Sequence, residues 1–453
     1  MDSAITTFRT VDLTALPEDD AKFYREDAVR AWQWQDSVPH VKEYRGRYVC
    51  GEIAFFDCID ERQANTPETL GLPLGVSTPI RSAGNMLGEY SRNVEAEILR
   101  LIKRQYRSLK PGEAPRPIMV LYVTHSSHVR PHDDSCAAWS HKTDEACAEA
   151  ARQVALLNRE YVSLAAGGQT LNRFVVAFHL HAYTDLEANV WHGEKLSINP
   201  MDYVAGLGDA SKAKLGHERL EADIQERMRM TFPFNDGRFS GLSREMHDGV
   251  VRQIGDMFVA NVNLVRQIAA GEAEASKAGH QGRRVLVGRG WGAYDASYDG
   301  QEANFTVSDY SELNRDLAIA GKYVLANRIM DATRNGGEVY VPFHVNILYG
   351  GWDEYRRQAD RCASARLALG IGRYILGMWR RTAGDGALRE AFYNEVGRVI
   401  AHKGGGPREI ELLSAVFSHP RRFFETFRVY VSVSYHDTHA LELIATTQDV
   451  ANS

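Results

Sequence analysis

Cysteine is scarce in this chain: five in 453 residues, Cys50, Cys58, Cys136, Cys147 and Cys362. That density excludes a disulfide scaffold. No two of them form a C-x-x-C pair, so a zinc finger or ribbon is excluded as well. Long apolar runs are also missing. Ile118–Val123 is typical of the longest, far short of the roughly 18 residues that cross a bilayer. The opening stretch, MDSAITTFRTVDLTALPEDD, is acidic and lacks the apolar segment of a secretory leader. There is no excess of positive charge: 53 Lys and Arg against 59 Asp and Glu leave a net charge of −6. Bulk electrostatics therefore call for neither nucleic acid nor an anionic membrane, and the expectation is a cytoplasmic protein. Ordinary apolar and charged fractions, 44% and 25%, exclude a disordered or fibrous chain. The length corresponds to about three domains at roughly 150 residues each, ample for a sizeable core.

What the chain does contain is an alternation of strands and helices. Residues 1–45 read as a short helical arm, from Pro17 onward (AKFYREDAVRAWQW). RYVCGEIAFFDC, ending at Cys58, has a strand-like apolar end. Residues 89–109 place Val94, Ile98, Leu101 and Ile102 at a helical period, before breakers at Lys110, Pro111, Gly112 and Pro115. PIMVLYVTH, from Pro117 to His125, is a short continuous apolar run, the pattern of a strand buried on both faces. Thr143–Ala166 reads as a helix stopped by Gly167-Gly168, and RFVVAFHLH, ending at His181, as a third strand. This order predicts an α/β fold with a mainly parallel sheet flanked by helices. Residues 185–245 read as irregular and Asp248–Ala270 as helical. A second unit echoes the first: a helix at Ser311–Ile329, the Pro-led strand VPFHVNILYG, and a helix at Glu354–Ile375. The likeness suggests an ancient duplication. A helix at Ala387–Ile400, a KGGGP loop and the apolar stretch FRVYVSVSY close the chain. The loop lacks the Lys-Ser/Thr continuation of a phosphate loop and reads as a turn.

Two local features carry chemistry. Cys58-Ile59-Asp60-Glu61-Arg62 begins where a predicted strand meets a loop, and α/β proteins build sites at the carboxyl ends of their strands. A Cys58 thiolate there suits a soft metal ligand. Asp60 suits a hydrogen bond from a metal-bound water, and Arg62 a bidentate pair that keeps Asp60 ionised. The second feature, His125-Ser-Ser-His-Val-Arg-Pro-His-Asp-Asp-Ser-Cys136, follows the next strand. A histidine and a cysteine from it would complete a Cys2His site with one open position, the catalytic-zinc pattern. Such a zinc brings the pKa of its water toward about 7. The plainer reading is a buried structural Cys58, an Asp60–Arg62 surface pair and a solvated loop with incidental histidines. His179 and His181 alternate with apolar residues on one face. They suit either a metal pair or hydrogen-bonded core histidines.

Taken together, Cys58-x-Asp60-x-Arg62 and a His and Cys after the next strand resemble the β-carbonic anhydrases. The chain looks most like the carboxysome shell carbonic anhydrases, the diverged epsilon form. The closer likeness rests on Ser135-Cys136-Ala137-Ala138 after a widened loop, Asn199-Pro200 with Tyr203-Val204, and, in the second half, Gly279-His280, RRVLVGRGWGAYD and VPFHVNILY. It covers roughly residues 45–370. The common β-class spacing would put the ligand histidine at position 133, which here is Asp133.

The resemblance implies a zinc-bearing catalytic unit over 46–270, followed over 271–453 by a degenerate copy with a C-terminal extension. It implies Cys58, His125 and Cys136 as ligands to one Zn2+ per chain, with Asp60 and Arg62 as the dyad that orients the zinc-bound hydroxide. His128 and His132 compete with His125, which is favoured by its place at the strand end. The activity implied is reversible hydration of CO2 to bicarbonate, in a homodimer or larger assembly, with His128, His132 or His141 available to shuttle protons. The same fold also supports hydrolysis of carbon disulfide or carbonyl sulfide, or a non-catalytic scaffold or bicarbonate sensor. In the second half, GAYDASYDG has no cysteine and Gly350-Gly351-Trp352 no histidine, while Cys362 reads as a core residue. Carboxysomal enzymes carry a long packaging region ahead of the catalytic unit, whereas only 57 residues precede Cys58. The expectation is a free bacterial cytoplasmic enzyme rather than one held in a carboxysome shell or with Rubisco.

Overall fold

The computed structural model describes residues 38–58, 66–73, 76–85, 102, 111, 116–127, 136–159, 163–166, 169–172, 175–183, 189–192, 198–272, 310–349, 376–435 and 440–446. They belong to two compact units, one within 38–272 and one within 310–446. No helix among the described residues is long and apolar enough to cross a membrane.

The first unit opens with α1 (Val38–Arg47), β1 (Glu52–Cys58) and β2 (Ser77–Ser82). There follow β3 (Ile118–Ser126), α2 (Thr143–Arg159), β4 (Ser163–Ala166), β5 (Gln169–Asn172), β6 (Val175–Tyr183) and β7 (Asn189–His192). It closes with α3 (His217–Thr231) and α4 (Arg244–Ala269). The main sheet has the order β2-β1-β3-β6-β7. The first four strands are parallel and β7 is an antiparallel edge. The α/β fold with a mainly parallel sheet is therefore present.

β1 and β3 are buried along their whole length because helices cover both faces. On one face Ile53, Phe55, Met119, Leu121, Val123, Phe178 and Leu180 pack against Leu220, Ile224 and Met228 of α3 and Val250, Ile254, Phe258 and Val262 of α4. The helical residues recur every four positions, one stripe per helix. On the other face Phe56, Val120, Tyr122 and Ala177 meet Ala150 and Val154 of α2. Each fully buried large side chain contributes roughly 1.5–3 kcal/mol. Gln253 of α4, itself fully buried, pins the start of β1. It accepts from the Cys50 N–H (2.9 Å) and donates to the Cys50 carbonyl (2.9 Å) and the Tyr44 hydroxyl (3.0 Å).

Two expectations need correction. The helix expected over Thr143–Ala166 ends at Arg159, and Ser163–Ala166 pairs antiparallel with Gln169–Asn172. Gly167-Gly168, outside the described residues, therefore comes in the chain after a strand and not after a helix. The stretch 185–245, read as irregular, contains α3. Its sequence, HERLEADIQERMRMT, is so charged that its narrow apolar stripe shows only against the sheet.

The second unit contains α5 (Tyr310–Asn335), β8 (Val341–Tyr349), α6 (Gly386–His402), α7 (Pro407–Phe417), α8 (Pro420–Thr426), β9 (Phe427–Tyr435) and β10 (Ala440–Thr446). Its sheet has the order β10-β9-β8, with β8 and β9 parallel and β10 antiparallel. The KGGGP loop is a turn, with Gly404 at φ 77° and Pro407 opening α7. The core sets an aromatic cluster among aliphatic side chains: Trp379 stacks on Phe427 with ring centroids 4.0 Å apart and meets Phe392 edge-on at 5.6 Å.

Candidate metal centre

The chain runs from β1 to β2 on one side, then crosses to β3 on the other side of β1. The strand order therefore reverses between β1 and β3, the place where open parallel sheets leave a crevice for ligands. Cys58 is the last residue of β1, and His125 lies one residue from the end of β3. Cys136 comes just ahead of a short 3-10 turn, Ala137–Trp139. The structure brings these three side chains together. Their ligand atoms all lie within 4.8 Å of one another, the group is buried, and it can hold a metal ion.

The Cys58 and Cys136 sulfurs are 3.8 Å apart, and neither is in a disulfide. Both ring nitrogens of His125 are buried with no hydrogen-bond partner among the described residues. A buried imidazole with an idle nitrogen is costly unless something fills its lone pair. The adjacent Cys136 sulfur and burial push the Cys58 thiol well above its usual range, and the His125 ring pulls the other way. Without a cation, two thiolates this close and this deep repel each other. A bound cation removes that repulsion and takes up the imidazole lone pair, so the donor set fits a metal.

Asp60, Arg62, His128, His132 and Cys362 lie outside the described residues. His141 lies on the loop leaving Cys136. It is half-buried, with left-handed backbone (φ 64°), and its N–H donates to the Cys136 carbonyl at 3.2 Å.

His179 and His181 are buried on the sheet face that carries α2, and both meet Thr124 Oγ1, each at 2.8 Å. A hydroxyl has one proton, so at least one ring presents its N–H to Thr124. Ser126 Oγ lies 2.8 Å from the second nitrogen of His181, and Cys147 Sγ lies 3.4 Å from the first. Burial lowers His179 to about 4. Burial, with His179 and His125 nearby, takes His181 well below its usual value. The pair forms a buried hydrogen-bonded cluster in which His179 Nδ1 has no partner among the described residues.

Two features were not anticipated from the sequence. Asp57 is a fully buried carboxylate beside Cys58. The second is the turn Ala83–Asn85, whose Gly84 N–H donates to Cys58 Sγ at 3.3 Å. A Gly-Asn pair after a strand is a turn signal that was available to sequence reasoning.

No known protein family matches the chain, and no curated protein matches it.

Proposed function

We propose that this chain is a zinc-dependent enzyme of the β-carbonic anhydrase type, hydrating CO2 reversibly to bicarbonate and a proton. The observation that carries the reading is the buried Cys58, His125 and Cys136 group at the crevice between β1 and β3. Two sulfurs each about 2.3 Å from a tetrahedral ion stand about 3.8 Å apart, and the sulfurs here are 3.8 Å apart. Two soft thiolates and an imidazole favour zinc over the hard cations. When bound, zinc supplies a nucleophile at neutral pH by acidifying water.

The chain's own residues do the rest. Cys58 and Cys136 offset the ion's charge, and His125 completes a three-donor set that leaves one position for reactants. Asp60, two residues past Cys58 in the chain, would accept a hydrogen bond from water activated by the ion and so orient it for reaction. Arg62, two residues further on, would pair with Asp60 and keep it ionised.

The second unit is, in this proposal, a copy that has lost its metal. In support, the Pro-containing strand β8 follows the helix α5, the order in which the sequence also reads ahead of β3. Assembly as a homodimer in the bacterial cytoplasm is part of the same proposal and rests on the resemblance.

The test is metal quantification and stopped-flow CO2 hydration, with Cys136→Ala alongside. The expected result is about one zinc per chain and measurable hydration, both lost in the variant. Zinc without hydration would point to carbon disulfide or carbonyl sulfide as substrate. Freshly prepared protein with no zinc would overturn the catalytic reading in favour of a scaffold or bicarbonate sensor.

A further inference from the structure

Three ligand-bearing segments converge on one turn. The Asn85 side-chain amide donates to the Phe56 carbonyl (2.8 Å) and to the Val123 carbonyl (3.1 Å). Phe56 lies two residues before Cys58, and Val123 two residues before His125. One NH2 group therefore ties together the two strand ends that carry two of the three ligands. Because both partners are carbonyls, the orientation of the amide is settled by its donors. Asn85 is 1% exposed, and its Oδ1 meets no partner among the described residues, so donation is what the side chain contributes. The Tyr122 hydroxyl donates to the Asn85 carbonyl and holds the turn against β3.

Gly84 ties in the third segment. Its carbonyl accepts from Trp139 Nε1 at 2.7 Å, and Trp139 lies three residues past Cys136. Its N–H donates to the Cys58 sulfur. The fit leaves no room for a side chain: a Cβ at Gly84 would lie 2.7 Å from the Ala138 Cβ and 3.0 Å from Trp139 Nε1. Gly84 and Asn85 both have left-handed backbone, φ 66° and 52°, a conformation that glycine and asparagine tolerate best.

We propose that the Ala83–Asn85 turn is the positioning element of the metal centre. Asn85 sets the relative height of Cys58 and His125, and the Gly84 N–H draws electron density from the Cys58 sulfur. A sulfur that accepts a hydrogen bond is a weaker donor and leaves the bound ion more electrophilic. Asn85 is thus a positioning residue, since it touches neither ion nor substrate. The inference rests on the metal reading of the site.

The test uses the full chain loaded with Co2+, whose thiolate charge-transfer and d–d absorption report ligand geometry, together with Zn2+ affinity by chelator competition. Asn85→Ala is expected to shift the Co2+ spectrum and to weaken Zn2+ binding roughly 10–100-fold. Gly84→Ala is expected to do the same, and Ala138→Gly added to it to restore part of the wild-type spectrum by removing the nearest clashing atom. This second pair keeps the test decisive if Asn85→Ala does not fold. A wild-type Co2+ spectrum and Zn2+ affinity within twofold in Asn85→Ala or Gly84→Ala would overturn the inference while leaving the metal reading intact. Failure of the wild-type chain to bind either ion would overturn both.

Discussion

Both units place parallel strands among helices, yet among the described residues only the first ends its strands in side chains that could hold a metal ion. In the first, β1 closes on Cys58 and β3 on His125-Ser126. In the second, β8 closes on Leu348-Tyr349 and β9 on Ser434-Tyr435. The cores themselves are alike in mixing aliphatic and aromatic side chains. The first unit has aliphatic stripes on both faces of its sheet and a polar cluster of Thr124, Ser126, His179 and His181 toward the carboxyl end of β3 and β6. The second packs aliphatic side chains around an aromatic cluster at Trp379, as the first does around Phe178, Phe232 and Phe239. What distinguishes a candidate site is which side chains stand at the carboxyl ends of the strands.

The contrast can be broken from either side. Cys136→Ala has the largest expected effect, complete loss of the bound metal from the first unit, read by metal analysis. Trp379→Ala is its counterpart in the second unit. Removing a fully buried indole should cost about 3–5 kcal/mol of that unit's stability, while zinc content stays as in the wild type. Calorimetry beside metal analysis checks both, and loss of zinc in Trp379→Ala would show that the distinction is wrong.

Smaller effects sharpen the comparison within the first unit. Gln253→Ala strips the Cys50 N–H and carbonyl of their buried partner. A loss of about 3 kcal/mol in denaturant unfolding is expected.

His179 provides a pH test. Its folded value is depressed to about 4 from an unfolded value near 6.5. Below pH 6.5 the unfolded chain therefore binds the proton that the folded chain refuses. Stability is full above that value and falls as pH drops toward 4. The expected loss from this residue is about 2 kcal/mol between pH 7 and pH 5. In His179→Gln this part of the slope should vanish, and an unchanged slope would show that His179 already carries its proton in the fold.

Much of the first unit was legible because its strands are covered on both faces. EIAFFDC, PIMVLYVTH and RFVVAFHLH are continuous apolar runs, and such runs identify buried strands from neighbouring residues alone. Cys58 and His125 at the ends of those runs were legible for the same reason. The helix α3 was not, because a three-residue stripe of Leu220, Ile224 and Met228 is drowned by charge until a sheet lies beneath it. Gly167-Gly168 misled because glycine comes after strands as well as after helices.

Apolar pattern, breakers and residue types are local, so the strands β1, β3, β6 and β8, several helices and the candidate donors could be read from the chain one window at a time, whereas β2, β4, β5, β7 and β10 could not. The meeting of the donors is not local. The Cys58 and Cys136 sulfurs are 78 residues apart in the chain. They meet because β3 crosses to the far side of β1, a choice made by the packing of two helical layers on the sheet. The seat of Asn85 under two strand ends follows from the same strand order and from a register that no single segment encodes.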